Sequence, residues 1–441
     1  MAASTLTAAA PLTPPAVSEQ SGRVPYLPGL DGLRAVAVVA VMVYHANSSW
    51  FSGGFLGVEV FSVISGYLIT LLLISEKERT GRVRIGQFWF RRARRLLPAL
   101  FIMMGGLAIY MAIFDRRPMG QTRGDLLAGT FYVSNWFQVW VGQSYTASAA
   151  FAPLRHLWSL AVEEQFYLLC PLLMLLILRF RGDRLPRVAA WLMAISVGRA
   201  VMVGAMYISG TIYIGADPIT GALSCGPGES HGYLTVCGRC INVNETMYIG
   251  TLTRAGGLML GAAFAMVWRP IAIMRGPLRN RARRIDLLAL ASLGVLAWLM
   301  NSLFLLDKSD LSYNKWLFRG GFLLTGICSV GIIAAATHRR SWIGRLLSIP
   351  PLRWIGTRSY GLYLYHWPIY QIMRDEGQPL ETRQFWIAML ITIPITELSY
   401  RLVELPIRTG RLSKFLAAQR SALTKEARQR RRRTFVIGSA F

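Results

Sequence analysis

Residues 31–75 read DGLRAVAVVAVMVYHANSSWFSGGFLGVEVFSVISGYLITLLLIS. Two apolar runs, 31–50 and 54–75, are parted only by a short turn through Gly53 and Gly54. Each has the roughly 20 residues that an α-helix needs to cross about 30 Å of hydrocarbon. The stretch reads as a helical hairpin through a bilayer, and it sets the class of the chain: an all-α polytopic membrane protein. Composition over the 441 residues agrees. Hydrophobic residues make up 53%, charged residues 16%, and mean hydropathy is +0.39. A soluble globular protein carries roughly 25% charged residues, so this chain lacks the polar surface to cover several soluble domains. The net charge of +26 taken alone would suggest nucleic acid. The basic residues, however, cluster between apolar runs, as cytoplasmic loops do under the positive-inside rule, so no nucleic-acid partner is expected.

Nine further apolar stretches follow, near 96–114, 125–142, 157–178, 187–208, 247–268, 285–306, 317–337, 354–373 and 385–404. Basic clusters follow the stretches ending near 75, 178, 268, 337 and 404, the first including Arg79, Arg84 and Arg91 to Arg95. If every stretch spanned, the first cluster and the later ones would fall on opposite faces. Removing 125–142, which holds Asn135, Gln138 and Gly142, puts all the clusters on one side. The reading is therefore ten transmembrane helices with cytoplasmic N- and C-termini, plus one interfacial or re-entrant segment. The protein is expected in the cell (plasma or inner) membrane, as a multi-pass protein in contact with membrane lipid. Residues 1–22 have no basic n-region and read as a disordered cytoplasmic tail, residues 23–410 as the membrane domain, and residues 411–441 as a basic cytoplasmic tail.

The long outer segment, 209–246, holds Cys225, Cys237 and Cys240. Two readings stand: a disulfide, as outside the cytosol, or a zinc site with His231, whose spacing matches known sites weakly. No metal is expected.

Ionisable side chains at membrane depth are costly unless paired, and so point to function. Arg34 and His45 are eleven residues apart, about 16 Å along a helix and within about 20° of one face. Glu59 lies about as far past the Gly53-Gly54 turn as His45 lies before it. A carboxylate at that depth would orient the imidazole and raise its basicity; the plainer reading is a core histidine beside an interfacial glutamate. Arg91, Arg92, Arg94 and Arg95 form a patch suited either to topological anchoring or to gripping phosphates bidentately. His156, Trp158, Glu163 and Glu164 make the densest polar entry into any helix, at its outer end by this topology.

These residues carry a resemblance. Arg34 and His45 meet an Arg-x10-His pattern, Gly57 to Tyr67 a Gly-Val-x-Val-Phe-x-x-x-Ser-Gly-Tyr pattern, and Phe88 to Pro98 a Phe-x-x-Arg-Arg-x-x-Arg-x-x-Pro pattern. With His156 to Tyr167, Tyr360 to Pro368 and Tyr400 to Pro406, the match runs in order from about 26 to 408. The chain resembles the acyltransferase-3 family of membrane acyltransferases, which includes O-acetylating enzymes of bacterial surface glycans. It departs at Leu252 and Gly256, where the family often has Asp, and in its longer cysteine-bearing outer loop.

The resemblance implies a membrane O-acyltransferase. An acyl group, usually acetyl, would pass from cytoplasmic acyl-CoA to a hydroxyl of an envelope glycan or glycolipid. Acyl-CoA would be a co-substrate, with no permanently bound cofactor. His45 would be the general base, with Glu59 as its partner. Arg34, Arg91, Arg92, Arg94 and Arg95 would hold the donor, and His156, Trp158, Glu163, Glu164 and Arg254 the substrates. The competing class is a transporter or flippase of a lipid-linked glycan. The run Arg430 to Arg433, followed by apolar residues to Phe441, also reads as the start of a further membrane helix leading to a fused or partner SGNH domain.

Overall fold

The computed structural model describes residues 24–410 apart from 115–118, 143–150, 181–183, 211, 214, 217–222, 226–229, 308–311 and 376–377. The tails read at 1–22 and 411–441, and the SGNH expectation with them, lie outside the described residues. The first half of the chain forms α1 (Pro28–Ala46), α2 (Gly57–Thr80), α3 (Ile85–Phe114), α4 (Met119–Thr130), α5 (Ser134–Val141), α6 (Leu157–Phe180) and α7 (Leu185–Met206). Then come α8 (Val243–Ile249), α9 (Thr251–Arg254), α10 (Gly256–Val267), α11 (Pro270–Arg275), α12 (Ala282–Ser302) and α13 (Phe322–Thr337). The last elements are α14 (Trp342–Leu347), α15 (Pro350–Thr357), α16 (Ser359–Met373), α17 (Thr382–Ser399) and α18 (Leu405–Arg408).

Among the described residues nine helical spans are long and apolar enough to cross a membrane. The protein is an all-α polytopic membrane protein. The tenth expected span corresponds to α16, which is 15 residues long. The stretch 125–142 is broken: α4 and α5 meet at Tyr132-Val133, and Tyr132 has φ 53°. Helices of 12 and 8 residues rise roughly 18 and 12 Å, too short to span.

Contacts tie the basic segments to one end of the bundle. Arg269 pairs with Glu78, Arg91 lies 3.7 Å from Glu76, and Arg94 donates to the carbonyl of Ile407. At the other end Gly53 N–H donates to Met300 O and Leu380 N–H to Ala46 O, both at 2.8 Å. The basic segments that follow α2, α10 and α17 thus lie together, as the charge pattern expects of them.

α2 lies deep in the bundle because small residues let its neighbours approach, as membrane helices do. A Cβ on Gly66 would sit 2.0 Å from Leu258 O, and one on Gly261 2.0 Å from Val63 O. The start of α1 is pinned similarly against α15, where a Cβ on Gly356 would meet Asp31 O at 1.8 Å.

The outer segment holds two small antiparallel pairs, β1 (Gly215–Ala216) with β2 (Leu223–Ser224) and β3 (Tyr233–Val236) with β4 (Arg239–Asn242). The β3–β4 turn uses Cys237 and Gly238, at φ 49° and 73°, the paired positive φ of a two-residue hairpin turn. Cys225 and Cys240 are disulfide-bonded and Cys237 is free and exposed. The bond takes two of the three thiols that a zinc site would need, and His231 Nε2 instead hydrogen-bonds Ser209 O at 2.9 Å.

Candidate active site

Three histidines from three segments meet in the core: His45 late in α1, His366 in the middle of α16, and His156 just before α6. All are buried. His45 Nδ1 is 2.8 Å from His366 Nε2, and the two rings are 5.1 Å apart and within 6° of parallel. Trp367 stands edge-on to His45 at 4.7 Å, and its indole N–H donates to Ala152 O. His156 Nε2 donates to Leu364 O at 3.2 Å, while its Nδ1 has no hydrogen-bond partner among the described residues.

Hydrogen-bond roles follow from chemistry. His366 Nδ1 lies 3.0 Å from Leu362 O, and a carbonyl can only accept, so that nitrogen carries the proton. In a neutral His366 the Nε2 is then an acceptor, and His45 must donate to it from Nδ1. The basic lone pair of His45 is thereby assigned to Nε2.

A cavity leads toward this cluster from the basic end. Its lining includes Arg34, Ser65, Arg92, Arg95, Ser159 and Tyr363. Tyr363 closes it: its ring is 5.5 Å from both His156 and His366 and 6.5 Å from His45, and its hydroxyl reaches Ser159 Oγ at 2.7 Å. Arg34 is 3.9 Å from Asp31. Arg92 lies 3.6 Å from Glu163 and 3.5 Å from Glu164, with its guanidinium 3.6 Å over the Tyr167 ring.

Two expectations change. Glu59 does not serve His45. Its carboxylate is 3.4 Å from Arg254 and accepts a backbone hydrogen bond from Gly257. Sequence spacing gave the two residues a common height but not a common direction: His45 faces α16, whereas Glu59 faces α9 and α10. Glu163 and Glu164, read at an outer helix end, lie deeper: they hold Arg92 and line the cavity with the basic residues. They lie almost two turns into α6, deeper than His156.

Arg254 and Trp158 belong to a second buried group. The Arg254 guanidinium is 4.2 Å from the Phe322 ring centroid, 5.3 Å from Tyr248 and 5.6 Å from Trp158. Gly256, one of the departures noted above, makes room for Arg199, since a Cβ there would lie 1.9 Å from that guanidinium. The buried Asn244 is tied to Ile208 through both main-chain groups.

The family model described as "Acyltransferase domain" matches residues 27–401. The chain belongs to this acyltransferase family. The match takes in the three histidines, the cavity and Arg254 together. The chain is similar to the O-acetyltransferase OatA of Staphylococcus aureus strain NCTC 8325, with 37% identity over 387 residues. It is also similar to the peptidoglycan O-acetyltransferase OatA of Listeria monocytogenes serovar 1/2a, with 38% identity over 393 residues. Each alignment covers 87% of this chain and 57% or 56% of the relative, so the chain spans little more than half of their length. No solved structure is significantly similar to it.

Against the family pattern, His366 is the residue that sequence reasoning passed over. It stood within the quoted Tyr360 to Pro368 motif without a role. The rule that singled out His45, an ionisable group inside an apolar span, applies to it equally.

Proposed function

We propose that the protein transfers an acetyl group from cytoplasmic acetyl-CoA to a hydroxyl of an envelope glycan or glycolipid, across the plasma (inner) membrane. The observation that carries the reading is the cavity that begins among Arg34, Arg92 and Arg95 and ends on Tyr363 against the histidines. Its arginines suit an anionic donor and its inner end suits a thioester. The relatives' names support acetyl as the acyl group and a peptidoglycan-like acceptor.

In this mechanism His45 Nε2 takes the proton of the acceptor hydroxyl as its oxygen attacks the thioester carbonyl, a role worth roughly 10²–10⁴-fold. The tetrahedral intermediate collapses to the ester, and the departing thiolate recovers the proton from His45. His366 accepts from Nδ1–H throughout, fixing the ring and sharing the imidazolium charge. No acyl-enzyme is required. Arg254 and Trp158 are assigned to the acceptor in this reading.

The rival class, a transporter or flippase, calls for no thioester chemistry, and the family match favours group transfer. The test is purified protein in lipid nanodiscs with acetyl-CoA carrying a labelled acetyl group. Thiol release with label recovered in a glycan acceptor is the expected result. Intact acetyl-CoA under conditions where the protein still moves a lipid-linked glycan would overturn the proposal.

A further inference from the structure

Arg92 and Arg95 have a cavity on each side of them. The first is the one that reaches Tyr363. The second opens between α2 and the start of α3, and its lining includes Arg79, Arg84, Gln87 and Arg91 as well as Arg92 and Arg95. These guanidinium groups come from the last turn of α2, the α2–α3 link and the first half of α3. Glu76 is the carboxylate on this lining, and it is 3.7 Å from Arg91. Among the described residues neither Arg79 nor Arg84 is in an ion pair. The wall also carries an apolar part, Ile69, Leu72, Leu73 and Phe88, beside Ser75 and Thr80.

A strongly cationic rim beside an apolar wall fits a phosphorylated nucleotide: guanidinium forks for phosphates and a surface for the base. We propose that the second cavity binds the 3′-phosphorylated adenosine diphosphate part of the acyl-CoA donor, with Arg79 and Arg84 as phosphate ligands. The pantetheine arm passes Arg92 and Arg95 into the first cavity. This inference rests on the donor reading above and gives it a second, separate chamber. The charge fits, since that nucleotide carries roughly four negative charges and the lining arginines outnumber Glu76. Arg92, held by Glu163 and Glu164, is the partition between the chambers.

The shared chemistry is a phosphate on arginines, which an anionic lipid headgroup also offers, so the experiment separates the two. Wild-type protein and the Arg79→Gln/Arg84→Gln double variant, in neutral-lipid nanodiscs, are given acetyl-CoA or acetyl-pantetheine, which lacks the nucleotide. The variant is expected to raise KM for acetyl-CoA about tenfold with kcat within about twofold, and to leave acetyl-pantetheine unchanged. An Arg79→Lys/Arg84→Lys variant keeps the topogenic charge but loses the bidentate grip, and its KM should fall between. An unchanged KM for acetyl-CoA, or an equal rise for both donors, would overturn the inference while leaving the donor reading standing. So would an effect confined to nanodiscs containing anionic lipid, which would mark a headgroup site. Absence of wild-type turnover with either donor would sink the donor reading, and this inference with it.

Discussion

A carbonyl oxygen accepts and never donates, and that constraint runs from Leu362 through His366 to His45. Removing the middle member should therefore uncouple orientation from binding. His366→Ala is expected to lower kcat about 100-fold while donor KM stays within about twofold, read from steady-state thioester cleavage. A fall in kcat of less than threefold would mean that His45 needs no partner. Glu59 belongs to a different account, since its charge serves Arg254. Glu59→Gln leaves a buried guanidinium without its counter-ion, and breaking a buried pair costs about 3–5 kcal/mol. Thermal unfolding in detergent should drop by several degrees, and Glu59→Leu with Arg254→Met should recover most of the loss. A fully stable Glu59→Gln protein would show that the pair contributes nothing to folding.

At the scale of helices, the contact of α2 with α10 is set by glycine. Gly261→Ala drives a methyl to 2.0 Å from Val63 O, so the helices must part, and several kcal/mol of packing are at stake, as with core overpacking. Gly105→Ala and Gly106→Ala meet nothing within 4 Å and should be neutral or slightly stabilising through helix propensity. Melting curves of the three variants check this: equal stability would mean that α2 and α10 are not as close as described. Spans were the most legible feature of the sequence, because length and apolarity alone define them. Helix 1 begins at Pro28 and ends at Ala46 where the pattern suggested 31–50, and the break of 125–142 followed from its Asn, Gln and Gly content. What the sequence withheld was azimuth. Periodicity gives a residue's height along a helix, but only tertiary packing decides which neighbour it faces. That is why equal height places Glu59 beside His45 in the sequence, while packing turns it to Arg254; His366, by contrast, lay within reach of the same rule that marks His45.

Over the whole molecule, one cavity runs from the basic end to Tyr363, whose ring packs against His156 and His366; in the proposed reaction it would keep donor and acceptor on opposite sides of the bilayer. Arg34 and His45 already stated that axis in the sequence, as two ionisable groups on one face of one helix. The structure adds the second wall, α6 and α16, and closes the path with Tyr363. Everything then turns on whether the imidazole at the inner end does the chemistry. The most direct measurement is the rate of thioester cleavage of acetyl-CoA by purified His45→Ala protein in nanodiscs, with its folding checked by thermal unfolding. The account predicts less than a tenth of wild-type turnover from a protein of near wild-type stability, with added imidazole restoring part of the rate. Wild-type turnover without His45 would contradict it.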